Sequence, residues 1–313
     1  MNPLRIGTRG SPLALWQARH VAELLRPLAA PRPVEFVEIE TSGDRIRDLA
    51  LSQIGGDGLF TKEIQRALLS NTVDIAVHSL KDLPTTHVAG LSLAAVPERG
   101  PAGDAFVSKM YARFDQLPQG ATVGTSSLRR RSQALHRRPD LHLVDLRGNV
   151  DTRLRKLEEQ RLDAIVLAEA GLLRLGLHSV VTELLDPQWM LPAIGQGALG
   201  LECRSQDVPV LDLLDRLNHR ATRQAVLAER ALLRGLGGGC LVPIGASTRI
   251  VGERLHLRGA VLSTNGDRRI MAEHEGDASD AEAIGRRLAE ILLTSGAAEL
   301  LRPSAPPGGG EKV

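Results

Sequence analysis

The sequence predicts an α/β protein: two α/β domains joined by two crossing strands, then a small α+β domain at the C-terminal end. Three observations carry this. Short apolar strand-like runs alternate with helical periodicity through roughly the first 200 residues, which argues largely parallel sheets with right-handed crossovers. Pro- and Gly-rich punctuation interrupts the alternation twice, at Pro97-Glu98-Arg99-Gly100-Pro101 and at Pro192-Ala193-Ile194-Gly195-Gln196-Gly197. Beyond Cys240 the pattern changes to three strand-like segments and one helix.

Residues 4–8 read as a strand, and Ser11-Pro12 supplies an N-cap with proline at the first helical position, opening a helix to about residue 28. A second strand follows at 33–39, an amphipathic helix at 61–69, and strands at 74–77 and 91–96. The alternation resumes with a strand at 121–124, a helix at 126–135, a strand at 141–144, a helix at 149–157 and a strand at 164–167. Residues 198–203 are apolar and strand-like, suited to rejoin the first sheet. One helical stretch, 208–233, leads to Gly237-Gly238-Gly239-Cys240, then strands at 244–251, 254–263 and 268–274 and a helix at 280–293. The expected domains are 1–97 with 198–215, 103–191, and 220–302, with 303–313 a disordered Pro- and Gly-rich tail.

Composition narrows the function classes. The 313 residues carry 39 Lys+Arg against 37 Asp+Glu, a net +2 that argues against a tail-driven nucleic-acid or membrane binder. Aromatics at 2% supply no row of rings for single-stranded nucleic acid. No apolar run approaches a membrane span of about 20 residues. Two cysteines, Cys203 and Cys240, make neither a disulfide framework nor a four-cysteine zinc site. A cytoplasmic, metal-free protein is the expectation. The basic residues are 34 Arg and only 5 Lys. That bias reads either as genome composition or as carboxylate and phosphate binding, because the planar guanidinium makes bidentate contacts that Lys cannot.

Several segments place polar residues at the carboxyl ends of strands, where open α/β sheets bind ligands. In Val77-His78-Ser79-Leu80-Lys81-Asp82-Leu83-Pro84, the Lys-Asp pair is either a surface turn or a cleft-floor carboxylate with an anion contact beside it. Gly124-Thr125-Ser126-Ser127-Leu128-Arg129-Arg130-Arg131 opens a helix whose free N–H groups favour anions, unless the arginines form a solvated face. Leu146-Arg147-Gly148-Asn149-Val150-Asp151-Thr152-Arg153 repeats the theme; Arg9 and Arg174 are further instances. Gly55-Gly56-Asp57-Gly58-Leu59-Phe60 lacks the Lys-Ser/Thr ending of a P-loop and reads as a mobile lid. Cys240, after three glycines, is either a buried turn cysteine or a thiol reachable for covalent chemistry, whereas Cys203 sits in an apolar periodic segment.

Together these motifs resemble the porphobilinogen deaminase (hydroxymethylbilane synthase) family from Leu4 to about Leu301. The resemblance rests on Thr8-Arg9-Gly10-Ser11-Pro12-Leu13-Ala14, the 76–84 and 124–130 segments, Leu146-Arg147-Gly148-Asn149-Val150, Gly195-Gln196-Gly197, and Gly238-Gly239-Cys240-Leu241-Val242-Pro243-Ile244-Gly245. It implies two periplasmic-binding-protein-like α/β domains flanking a cleft, plus the small α+β domain. The implied reaction joins four porphobilinogen molecules head to tail into hydroxymethylbilane, releasing ammonia each time. It also implies a dipyrromethane cofactor on Cys240 through a thioether, and Asp82 as the catalytic carboxylate. Arg9, Ser11, Lys81, Thr125, Ser127, Arg129, Arg130, Arg147 and Arg153 match cofactor or substrate contacts. Ser126, Gly148, Asn149, Arg174 and Gln196 join them, and Phe60 packs on a pyrrole ring. The implied protein is a cytoplasmic monomer with a small-molecule substrate and no metal, nucleic acid or membrane partner. Asp57 stands where the family commonly has Lys, and is expected to point away from the cleft. Competing classes are an anion receptor, which needs neither Cys240 nor Asp82, and a transcription regulator, for which no helix-turn-helix is visible.

Overall fold

The computed structural model describes residues 2–45, 58–238 and 242–301. Cys240, Asp57, Gly55, Gly56 and the tail at 303–313 therefore lie outside the described residues.

The first α/β unit contains β1 (Leu4–Thr8), α1 (Pro12–Ala29), β2 (Val34–Glu38), α2 (Lys62–Leu69), β3 (Ile75–Ser79) and β4 (Leu91–Ala95). The second contains β5 (Asp104–Val107), β6 (Thr122–Gly124), α3 (Leu128–Arg137), β7 (His142–Val144), α4 (Val150–Glu159), β8 (Ala164–Ala168), α5 (Glu169–Arg174) and β9 (Glu183–Leu184). The chain then returns as β10 (Leu199–Arg204) into the first sheet, followed by α6 (Val208–Asp215). The third unit packs α7 (Arg220–Gly235) and α8 (Ala281–Leu292) on one face of a sheet of β11 (Ile244–Val251), β12 (Arg254–Leu262) and β13 (Arg269–Asp277).

The two larger sheets share one topology. The first runs β2-β1-β3-β10-β4 and the second β7-β6-β8-β5-β9. In each, three parallel strands meet a fourth that is antiparallel, and that fourth is the strand supplied by a crossing. The sequence expectation of two α/β halves joined by two crossings is thus realised as a strand exchange.

Local chemistry sets the helix starts. Ser11 Oγ accepts from Ala14 N at 3.4 Å, with Pro12 next in line. Ser127 Oγ accepts from Arg130 N at 3.4 Å, and Asn149 Oδ1 from Thr152 N at 2.9 Å. The expected single helix over 208–233 is two helices. The break at 216–219 comes from the end of β4: Val96 N donates to Asn218 Oδ1 at 2.8 Å and His219 N donates to the Val96 carbonyl at 3.0 Å. His219 then caps α7, so the helix begins afresh.

The crossings lie against each other. Gly100 N donates to the Gly197 carbonyl at 3.1 Å, and Gly197 has φ +84°. A Cβ there would stand 2.6 Å from the carbonyl oxygens of Gly100 and Pro101, so only glycine permits this approach. Arg99, 15% exposed in its side chain, pairs with Glu229 of α7 at 2.7 Å, while Glu229 also accepts from Gly195 N at 2.7 Å and Thr248 Oγ1 at 3.0 Å. One buried carboxylate therefore ties both crossings to the C-terminal unit.

Candidate active site

The carboxyl ends of the parallel strands point their following loops toward the junction of the two lobes. β3 ends in a 3-10 turn, Leu80–Asp82, carrying Lys81 and Asp82. β6 leads into Thr125, Ser126 and Ser127 and then the first turn of α3, with Arg129 and Arg130. β7 leads into Arg147 and the Gly148-Asn149 turn, and α4 carries Arg153.

These groups share one electrostatic environment. Burial pushes the Lys81 ammonium down to about 8; Asp82 and Asp104 oppose that shift, while Arg130 and Arg129 add to it. Burial also lowers Arg153 to about 10, with Arg130 and Arg147 adding and Asp82 opposing. Lys81 of the first lobe thus feels charges of the second, and Arg153 of the second feels Asp82 of the first. Five cations, Lys81, Arg129, Arg130, Arg147 and Arg153, stand against Asp82 and Asp104. Such an excess suits a ligand bearing several carboxylates. A cavity of about 270 Å³ is lined by Lys81, Ser127, Arg129, Arg230, Gly238 and Val242, among others. Gly238 and Val242 flank the segment containing Cys240.

The buried arginines are held from behind. Arg129 Nη1 donates to Asp104 Oδ2 and to the Leu191 carbonyl, both at 2.6 Å. Arg130 donates to Asp104 Oδ1 through Nε at 3.0 Å and Nη2 at 2.7 Å, and to the Val166 carbonyl through Nη1 at 3.0 Å. Burial would raise the Asp104 carboxyl, but Arg129 and Arg130 overcome it and hold Asp104 well below the usual carboxylate range. Polar atoms are left over: Ser126 Oγ, Arg129 Nε and Arg147 Nη1 are buried without a hydrogen-bond partner among the described residues. Buried donors of this kind are costly unless a ligand engages them.

Other expected site residues take different places. Arg9 pairs with Asp44, Nε to Oδ2 at 3.0 Å, and lies 4.2 Å over the centroid of the Phe60 ring. Phe60 therefore carries a guanidinium here. Ser11 and Asn149 are engaged as N-caps, and Thr125 Oγ1 accepts from Ser127 N at 3.3 Å. Gly148 has φ +118°, and its carbonyl accepts from Arg153 Nε at 2.8 Å. Arg174, lowered to about 10 by burial, donates to the Gly197 carbonyl at 2.6 Å and stacks 5.6 Å over Trp16. Gln196 is buried between the crossings, its Nε2 donating to the Ala102 carbonyl at 2.6 Å and to Asp104 Oδ1 at 3.0 Å.

Sequence reasoning missed Asp104 and Glu229. Asp104 opens a four-residue strand and offers no local signal. Glu229 had one: it falls on the apolar stripe Ala225, Ala228, Leu232 of an amphipathic helix.

Two α/β lobes whose junction gathers Lys81, Arg129, Arg130, Arg147 and Arg153 define a protein built to hold an anionic ligand between them. The chain belongs to the porphobilinogen deaminase family. The family model described as porphobilinogen deaminase, dipyromethane cofactor binding domain, matches residues 4–212, and that of the C-terminal domain matches 223–294. Porphobilinogen deaminase of Geobacter sulfurreducens is 52% identical over 301 residues, covering 96% of this chain and 94% of the relative. That of Pelotomaculum thermopropionicum is 50% identical over 299 residues, covering 96% of each. No helix among the described residues is long and apolar enough to cross a membrane.

Proposed function

We propose that this chain is a hydroxymethylbilane synthase of the cytoplasm, acting as a monomer. It condenses four porphobilinogen molecules head to tail with loss of one ammonia at each step. The observation that carries the reading is the mutual coupling of Lys81, Arg129, Arg130, Arg147 and Arg153, with Asp82 acting on Lys81 and Arg153, within a match to the family's cofactor-binding domain. The working domains are 1–97 with 198–215, 103–191, and 220–302. The residues fit a tethered polyanionic group: orphaned Arg129 Nε, Arg147 Nη1 and Ser126 Oγ are waiting donors, and the cavity reaches both flanks of the Cys240 segment. Cys240 is the attachment point. Lys81, Ser127 and Arg129 are its nearest holders in that cavity, with Arg147 and Arg153 further along the cleft. When bound, the dipyrromethane supplies a free pyrrole α-carbon as the nucleophile that starts the chain.

The protein's own groups do the rest. As ammonia leaves the aminomethyl carbon of the substrate, positive charge develops and spreads to its pyrrole N–H. Asp82 is the counter-ion for that charge, carried by the turn that ends β3. It also takes up and returns the protons the condensation moves. The arginines neutralise acetate and propionate and hold the reacting carbons in register.

The direct test is an intact-protein mass spectrum beside a turnover assay. The purified protein is expected to exceed its sequence mass by two linked pyrrole units and to convert porphobilinogen into hydroxymethylbilane. An unmodified mass with full activity overturns the tethered primer, and absence of both overturns the function.

Two further results are expected. Arg147→Lys and Arg129→Lys keep the charge but lose the fork, so each raises KM or stalls elongation by about 10–100-fold, the scale of one charge-assisted hydrogen bond. Accumulation of enzyme-bound chains of intermediate length reads the stall; parental elongation in both variants assigns them to a solvated face. The second concerns pH. Lys81 is protonated below about 8 and loses its charge above it, so kcat/KM falls through one proton on the alkaline side. Lys81→Arg moves that limb to higher pH, and an unmoved limb assigns it to another group.

A further inference from the structure

Asp104 is the least exposed carboxylate at the cleft, 0% accessible, and four side-chain nitrogens from three residues converge on it. It stands at the first residue of β5, where the chain has just crossed between lobes. Its two oxygens are divided unequally. Oδ2 takes only Arg129 Nη1, whereas Oδ1 takes Arg130 Nε and Nη2 and Gln196 Nε2. The consequence for the two arginines differs. Arg130 gives its Nε and Nη2 edge to Asp104 and one Nη1 proton to the Val166 carbonyl, so the edge that Arg129 keeps open is already taken in Arg130. Arg129 is gripped by Nη1 alone, and no described residue engages its Nε or Nη2. That is the two-nitrogen edge that matches a carboxylate, and Arg129 lines the cavity beside Lys81.

We propose that Asp104 is a positioning residue for the condensation, turning the Arg129 Nε–Nη2 edge toward a ligand carboxylate in the cleft while tying Arg130 into the frame. The proposal rests on the functional reading above. Geometry makes the assignment specific. Asp104 holds Arg129 from behind, and Gln196 links the same carboxylate to the crossings through the carbonyls of Ala102 and Gly103. The arginine edge is therefore set by the hinge between lobes rather than by α3 alone. Asp104, like Asp82, also opposes the loss of charge at Lys81, which burial drives and Arg130 and Arg129 promote.

The test compares Asp104→Asn, Asp104→Glu and Asp74→Asn with the parental protein. Asp74 is a matched control: it is a buried carboxylate paired with Arg5, Arg32 and Arg204, but it precedes β3, at the end away from Lys81 and Asp82. Each protein is made unloaded, in a host that cannot produce porphobilinogen, and then loaded by incubation with porphobilinogen. The readouts are the rise in Tm on loading, KM against kcat, and the pH profile of kcat/KM below each variant's Tm. Asp104→Asn is expected to shrink the loading-dependent rise in Tm, raise KM about tenfold or more, and move the alkaline limb to lower pH. Asp104→Glu keeps the charge but displaces it by one methylene; a several-fold rise in KM with the limb in place is expected, and it stands in if the Asn variant does not fold. Asp74→Asn is expected to lower Tm while keeping KM, limb and loading rise at parental values. Parental KM and loading rise in either Asp104 variant overturn the positioning role, and so does an equal change in Asp74→Asn, which makes the effect general destabilisation. A parental protein that neither gains mass nor consumes porphobilinogen overturns the functional reading instead.

Discussion

Asp82→Asn is expected to fold, to load its cofactor and to turn over about 10²–10⁴-fold more slowly than the parent, the scale of lost acid/base help. Loss of the counter-ion to the developing pyrrole charge deepens the defect. The expectation of an intact fold is structural: among the described residues no hydrogen bond or ion pair engages the Asp82 carboxylate, and the turn that carries it closes through Leu83 N to the Leu80 carbonyl at 3.2 Å. Asn has the same shape and leaves that turn alone. The charge, however, is felt by Lys81 and Arg153, so its removal leaves those cations with less opposition. A second signature follows: Lys81 loses its proton below about 8 in the variant, and the alkaline limb of the residual activity moves to lower pH. The decisive measurement is single-turnover chemistry at saturating porphobilinogen, which separates the reacting step from binding. A rate within a few-fold of the parent removes Asp82 from the chemistry.

The fold was legible where the signal is local. Ser11-Pro12, Ser127 and Asn149 each mark a helix start in the sequence, and each caps one in the structure. β1, β3 and β8 are apolar runs bounded by turns, and they are buried over nearly their full length. What escaped depends on distant partners. β5 is four residues long and β9 two, too short for periodicity, and both exist only because β8 and β5 offer them edges. The break between α6 and α7 likewise comes from Asn218 and His219 pairing with Val96, about 120 residues away in sequence.

The candidate site was legible as a set of residue types at strand ends, because topology alone places those ends at the junction. Its division of labour was not. Arg129 and Arg130 look equivalent in the sequence, yet Arg129 leaves its Nε–Nη2 edge unengaged by any described residue while Arg130 gives that edge to Asp104. Arg9 and Phe60 read as two ligand contacts and are found engaging each other, with Asp44 beneath. Such pairings depend on which rotamers the packed neighbours allow, and spacing along the chain carries no trace of them.

Cys240→Ser is expected to remove the extra mass entirely and to reduce synthesis of hydroxymethylbilane to background, whereas Cys203→Ser leaves both in place. Only two cysteines exist, and Cys203 is unsuited to covalent chemistry on two grounds. It is 0% exposed in β10, packed among Leu4, Ile6 and Leu201, and burial pushes its thiol up to about 11, with Asp207 adding. At neutral pH its thiolate fraction is on the order of 10⁻⁴, and the thiolate is the nucleophile. The segment holding Cys240 is entered through Gly237, at φ +65°, and Gly238, and is left through Val242. Gly238 and Val242 face the cavity that also contains Lys81, Ser127 and Arg129. A thiol approaching that cavity meets cations, which stabilise its thiolate, and meets the carboxylates of any pyrrole bound there. Serine is nearly isosteric, so the variant keeps the loop and loses only the thioether bond. Mass spectrometry and turnover are measured on the same preparations, with the parental protein loaded in parallel. A Cys240→Ser protein that still carries two pyrrole units moves the attachment elsewhere; one that loses them but keeps turning over shows that the condensation needs no tether.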